Sequence, residues 1–286
     1  MTDLTNLIHT TRNSVENKQI EQVGRPYLGM SSIAKECARA QWYTWRWAYT
    51  SYIDPRVQRI FDRGDMEEER VITDLTNAGI KCYRIDKNEN MVPITGKIGE
   101  EQEEYVHFTG HSLGHSDGRC IQLPEAPKTP HLLEIKTCND KYFKNLVKLG
   151  VEEQFPVYFG QMQTYMRFTG LTRALLVATN KNDEARHYER VHFNKEKADI
   201  LYNRILDILS AETPPPRISK TPDFFKCKFC NARKVCFGAE EHNKHCRTCT
   251  RAELHDAGVW KCGVTSTAIP VEVQRVGCKH QYKSLL

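Results

Sequence analysis

The run Gly114-His115-Ser116-Asp117-Gly118, followed by Leu132-Leu133-Glu134-Ile135-Lys136-Thr137, decides the reading of this chain. Both pieces read as strand, short apolar or alternating runs bounded by turn residues. Side chains alternate along a strand, so Glu134 and Lys136 share one face while Leu133 and Ile135 point into a core. Alone, a Glu-x-Lys tripeptide is most simply a structural ion pair on a sheet face. Asp117 on a neighbouring strand changes that weighing by bringing a second carboxylate toward Glu134. Two hard oxygen ligands suit Mg2+ or Mn2+, and the Ile135 carbonyl offers a third. Lys136 then stands beside the ion, where it orients or helps deprotonate a water and offsets charge on a phosphorane-like transition state.

Working outward, helical spacing of apolar residues marks 64–77 (Val71, Ile72 and Leu75), 155–168 and 194–210. Strand-like runs occupy 81–85, 105–108, 114–121, 132–137, 174–178 and 188–193. This order predicts an α/β fold with a mixed central sheet flanked by helices. The Trp- and Tyr-rich stretch 30–52 is expected to be helical, its aromatics packing rather than stacking on a ligand. Pro214-Pro215-Pro216 is the clearest boundary, because consecutive prolines lack amide donors and end a helix. Beyond Phe237 the chain reads as loops and short strands that need metal to hold them. Four regions follow: an N-terminal helical region 1–60, a core 61–213, a short segment 214–240 and a cysteine-rich module 241–286.

Composition narrows the function. The 286 residues are 40% hydrophobic and 27% charged, enough for a sizeable core. Mean hydropathy is −0.60, and no apolar run approaches the roughly 18 residues of a membrane span. The first ten residues lack a basic region followed by an apolar one, so no secretory signal is expected and a cytoplasmic location is. Net charge is +5; residues 214–286 hold 13 Lys/Arg against 6 Asp/Glu, leaving 28 against 30 in the rest. A basic tail on a near-neutral body suits a polyanion. Seven of the 11 cysteines follow Pro216, and clustered thiols in a non-exported chain read as metal ligands.

These residues resemble the PD-(D/E)XK nuclease superfamily and, within it, the RecB-like exonuclease branch. Gly64-Asp65-Met66-Glu67-Glu68 resembles that family's first motif, a glycine followed four residues later by His or Glu. Many RecB-like members carry His where Glu68 stands; phage exonucleases of the lambda type use Glu, and the neighbouring Glu67 and Glu69 leave the register open by one. Asp117, Glu134 and Lys136 match the central motif. Gln161 and Tyr165, four apart on one helix face, resemble the family's Gln-x-x-x-Tyr. The resemblance implies a restriction-endonuclease-like core in which Glu68, Asp117, Glu134 and the Ile135 carbonyl hold the divalent ion. It further implies that Gln161 and Tyr165 position Lys136 and the strand, Tyr165 lying beside DNA.

Cys227-x2-Cys230-x5-Cys236 by itself is a zinc knuckle or three unconnected thiols. With Cys37 in Glu36-Cys37-Ala38-Arg39-Ala40-Gln41-Trp42-Tyr43, it is similar to the iron–sulfur variant of the family, which includes AddB and the CRISPR-adaptation nucleases. That similarity implies a [4Fe–4S] cluster on Cys37, Cys227, Cys230 and Cys236, stapling both ends of the core; Zn2+ on the same thiolates is the alternative. Cys246, Cys249, Cys262 and Cys278 have zinc-ribbon spacing, with His245, His255 and His280 near enough to replace one thiol. Cys82, Cys120, Cys138, His131 and His192 read as structural, and His115 stays ambiguous.

The function expected is a metal-dependent DNA exonuclease acting on single-stranded or end-exposed DNA in phage-type recombination or DNA processing. Its expected partners are DNA and a single-strand annealing or single-strand-binding protein, with no membrane. A structure-specific endonuclease and a non-catalytic DNA-binding protein on a nuclease fold are the alternatives.

Overall fold

Leu132 to Ile135 are buried without a break, the mark of a strand covered on both faces. The computed structural model describes residues 20–22, 24–278 and 282–285, so the first ten residues and His280 lie outside the described residues. In chain order the elements are β1 (Ile20–Gln22), β2 (Leu28–Gly29), α1 (Ala38–Trp45), β3 (Ser51–Ile53), α2 (Pro55–Asn77), β4 (Lys81–Ile85), β5 (Met91–Pro93), β6 (Glu103–Val106), β7 (Ser112–Ser116), β8 (Gly118–Ile121) and β9 (His131–Cys138). Then come α3 (Asp140–Leu149), α4 (Val151–Gln154), α5 (Pro156–Thr169), β10 (Arg173–Asn180), β11 (Arg186–His192) and α6 (Lys195–Ser210). The C-terminal part holds α7 (Phe225–Lys228), α8 (Arg233–Cys236), β12 (Ala252–Leu254), β13 (Trp260–Cys262) and α9 (Val271–Val276).

The main sheet has the order β11-β10-β9-β8-β4-β5. Only β9 and β10 pair in parallel, because α3 to α5 carry the chain back across one face between them. The α/β architecture with a mixed central sheet and flanking helices is therefore present. Leu133 and Ile135 pack with Leu175 and Val177 beneath Val71, Ile72 and Leu75 of α2. Leu132, Leu176 and Ala178 pack on the other face with Met162, Tyr165 and Met166 of α5.

Several boundaries differ from expectation, each for a local reason. The strand expected at 114–121 is two strands: β7 belongs to a three-stranded sheet, β8 to the main one, and Asp117 is the corner. Gly118 makes the corner, with φ of 135° and a position where a Cβ would collide with the Ile94 side chain. The helix expected at 64–77 begins earlier, at Pro55, which takes the first turn while the Asp54 side chain caps the Arg56 N–H. The stretch 30–52 is helical over α1 and in a single 3-10 turn at Met30–Ser32. Cys37 caps its start, and Trp47 at φ 51° takes the chain out of helical geometry just beyond its end. Helix α3, not anticipated, starts at an Asn139 cap on the Tyr142 N–H.

The cysteine-rich tail is not a separate body. Trp260 and Ile269 belong to the same hydrophobic cluster as Trp42 and Trp45, so a boundary at 241 cuts through a shared core. A seam of cations and indoles joins them. Arg247 is 1% exposed; it donates to Gln274 Oε1 (2.8 Å), Trp45 O (3.0 Å) and Pro26 O (2.7 Å). Its guanidinium lies 3.8 Å from the Trp47 ring centre, and that of Arg275 lies 4.2 Å from the same ring. Arg46, also buried, sits over Trp45 and Trp260 and donates to Arg247 O.

Candidate active site

The β7–β8 corner and the middle of β9 meet. Asp117 Oδ2 accepts the Ile135 N–H at 2.7 Å, fixing the corner against the central strand. Lys136 Nζ lies 2.5 Å from Glu134 Oε1 and 3.7 Å from Asp117 Oδ2, and it donates to the Ile135 carbonyl at 3.0 Å. Asp117, Glu134, Ile135 O and Lys136 thus converge on one spot. Glu134 is fully buried, and neither of its oxygens has an aligned hydrogen-bond donor despite the ammonium beside it.

Helix α2 places Glu67 and Glu68 in different surroundings. Glu67 is buried in a structural network, accepting from Thr179 and Arg70 and paired with Arg186. Glu68 instead borders a cleft of about 330 Å³ with Asp65, Asp117 and Gly118. Burial, then the charge of Asp117, holds the Glu68 carboxyl well above the usual carboxylate range. Glu134 is also raised, by burial first, against the opposing pull of Lys136 and with Asp117 adding to the rise. Burial alone disfavours the Lys136 charge, but Glu134 and Asp117 outweigh it and hold the ammonium firmly protonated.

The site holds more acid than its one lysine balances. A fully buried carboxylate without aligned donors is costly unless a cation completes it. Among the described residues no three His, Cys, Asp or Glu side chains are grouped as a metal site. The donor set here is two carboxylates and a backbone carbonyl, all three touched by the Lys136 ammonium, which stands in for a cation among them.

Helix α5 is placed differently from expectation. Tyr165 is 1% exposed, its ring 5.1 Å from that of Tyr105, and Gly114 leaves it room, since a Cβ there would meet the ring at 2.6 Å. It has no surface to lay beside a strand, which corrects the expectation that it contacts DNA. Gln161 is buried and makes no side-chain hydrogen bond among the described residues. Gln163, two residues on, instead pins α5 to His192 O and the Asn194 N–H. Two contributors were not singled out from sequence. Tyr158 presents its ring 5.5 Å from Lys136 Nζ, and Asp65 lies in the cleft three residues before Glu68, an i,i+3 spacing that reading of the acidic run offers. His115 faces Glu104 at 3.3 Å.

The cysteines expected to form two groups come near one another to different degrees. The Cys227 and Cys230 thiols are raised, by burial first and then by neighbouring Cys37 and Cys236. The Cys37 sulfur accepts the Ala40 N–H at the start of α1. Cys246, Cys249, Cys262 and Cys278 line one small cavity of about 30 Å³, together with His245. Burial and the other three sulfurs push Cys246 up to about 11, whereas the Thr265 and Val264 N–H groups lower Cys262. His255 pairs with Glu253 instead, and Cys82 and Cys120 face each other in the core.

No protein-family model and no curated protein matches the chain. Among solved structures it is similar to the alkaline exonuclease LHK-Exo from Laribacter hongkongensis, at 17% identity over 69% of this chain and 91% of that chain, with a TM-score of 0.43. The same exonuclease in complex with dAMP gives 17% identity over 65% and 87%, with a TM-score of 0.44. The structure named SSO0001 gives 12% identity over 82% and 95%, with a TM-score of 0.40. No helix among the described residues is long and apolar enough to cross a membrane.

Proposed function

We propose that the chain is a divalent-metal-dependent DNA exonuclease, working on single-stranded or end-exposed DNA. One observation carries this: the fully buried Glu134 carboxylate, without aligned donors, shares with Asp117 and the Ile135 carbonyl a spot that a lysine ammonium touches. Such a set of hard oxygens fits Mg2+ or Mn2+, with Glu68 completing it from the cleft side. The ion supplies Lewis acidity toward a phosphate and activation of water.

The protein's own groups do the rest. Asp117 is held against β9 by the Ile135 N–H, through the same oxygen that faces Lys136. Glu68, Asp117, Glu134 and the Ile135 carbonyl would hold the ion, and the Lys136 ammonium beside them would offset charge growing on a bound phosphate. The place of Lys136 beside Glu134 and Asp117 lets it orient a water or help deprotonate it. Tyr158 guides the ammonium through its ring face. Gln161 and Tyr165 act as positioning residues behind this group.

The thiols serve the frame. Cys246, Cys249, Cys262 and Cys278 around an ion-sized cavity fit a structural Zn2+, and N–H groups aimed at Cys262 favour its thiolate. Cys37, Cys227, Cys230 and Cys236 fit a group held by four thiolates, a [4Fe–4S] cluster on the sequence pattern or Zn2+ on chemistry alone. Either closes a long loop between α1 and α8.

The experiment offers anaerobically purified protein with Mn2+ an end-labelled linear single strand and a circular one. Loss of the linear strand alone is expected. Degradation of both makes the enzyme an endonuclease. Retained binding without cleavage of either reduces the chain to a DNA-binding platform.

A further inference from the structure

The segment 217–237 shows solvent two large aromatic side chains. Phe229 is 82% exposed and Phe225 is 64% exposed. Phe225 opens α7 and Phe229 follows it four residues on, so both rings lie on one side of this turn. Cys227, between them, is buried on the other side, so the turn is anchored from beneath. Phe224 stacks edge-on against Phe225, with ring centres 4.7 Å apart, and Lys226 Nζ lies 5.5 Å from the Phe225 ring centre.

The charge around these rings is mainly positive. Within the segment Arg217, Lys220, Lys226, Lys228, Arg233 and Lys234 stand against Asp223, six minus one, or +5, while Glu36 and Glu240 reach it from outside. Lys226 meets Glu36, Arg233 meets Asp223 and Lys234 meets Glu240, all at the surface, where such pairs are weak and readily exchanged. Lys220 and Lys228 are exposed and have no carboxylate partner among the described residues.

Exposed rings flanked by unpaired ammonium groups match one class of partner. Single-stranded nucleic acid offers unstacked base faces to the rings and phosphates to the cations. A duplex hides its base faces, and an apolar protein surface has no use for the lysines. We propose that 217–237 is a single-strand binding platform, in which Phe225 and Phe229 stack on unpaired bases and Lys220, Lys226 and Lys228 meet the backbone. This goes beyond the nuclease reading by naming where a strand is gripped outside the cleft, and it stands or falls by binding alone.

The test measures anisotropy of a labelled oligothymidine and of a hairpin duplex with the full chain in EDTA, where nothing is cut. The wild type is expected to favour the single strand. Phe225→Ala with Phe229→Ala is expected to weaken oligothymidine binding about ten-fold or more. Phe225→Tyr with Phe229→Trp keeps the rings and is expected to hold affinity. Lys220→Gln with Lys228→Gln is expected to reduce the slope of log affinity against log salt by about 1.4. Unchanged affinity in the double alanine variant overturns the platform, as does a change in oligomeric state without a change in affinity. Cleavage in Mn2+ is read separately. A wild type that grips the strand but never cuts it sinks the nuclease reading and leaves the platform; cutting with Phe-independent binding does the reverse.

Discussion

Buried charge is handled in opposite ways in two regions of this molecule. Around Arg247 and Arg46, cations without a carboxylate partner are closed off. Three backbone or amide oxygens accept from the Arg247 guanidinium, one from each of its nitrogens, and indole faces cover it. Around Glu134, several carboxyl groups crowd one ammonium: Lys136 pairs with Glu134 and touches Asp117, and burial raises both Glu134 and Glu68. In the arginine cluster backbone dipoles and indole faces offset part of the desolvation cost, although burial still lowers Arg247 to about 9 and Arg46 to about 10. The second region holds the surplus of acid that a divalent cation would offset. The first docks one part of the chain on another, and the second is where we propose binding and chemistry.

Lys136→Ala tests the Glu134 region most severely. Cleavage is expected to fall by about 10²–10³-fold or more, with oligothymidine affinity in EDTA unchanged. Equal turnover in the variant removes Lys136 from the mechanism. The closed region is expected to answer in stability instead. Arg247→Met orphans three oxygens and is expected to cost about 3 kcal/mol, roughly 6–12 °C in Tm, while each folded molecule cuts at the normal rate. If activity fell and Tm held, the two regions would not differ as described.

Metal addition sharpens the contrast. Mn2+ at a hundred times its Kd is expected to stabilise the wild type by about 2.7 kcal/mol. Glu134→Gln should lose that gain in differential scanning calorimetry, and Arg247→Met should keep it. The smallest effect concerns His111, buried at the seam with its ring 5.9 Å from Trp260. Burial first, then Arg247 and Arg46, hold it below its ordinary value of 6.5, opposed by its bond to His255 O. Its neutral form is therefore favoured in the folded state. Stability is full above about pH 6.5 and declines as pH falls below it, because the unfolded chain takes up the proton first. His111→Asn is expected to flatten that part of the Tm profile; an equally steep profile clears His111 of the effect.

Sequence alone determined what depends on near neighbours. Alternation put Glu134 and Lys136 on one face of a strand, and 3.6-residue spacing marked α2, α5 and α6, since each follows from backbone geometry over a few residues. Tertiary structure decided what depends on residues far apart in the chain. Only packing told Glu68 from Glu67, because both are acids on one helix and their neighbours, Asp117 for one and Arg186 and Thr179 for the other, come from remote strands. Only packing sealed Tyr165 behind Gly114 and folded Trp260 into the core of Trp42 and Trp45. Burial and electrostatic partners are properties of the assembled whole, and no local pattern encodes them.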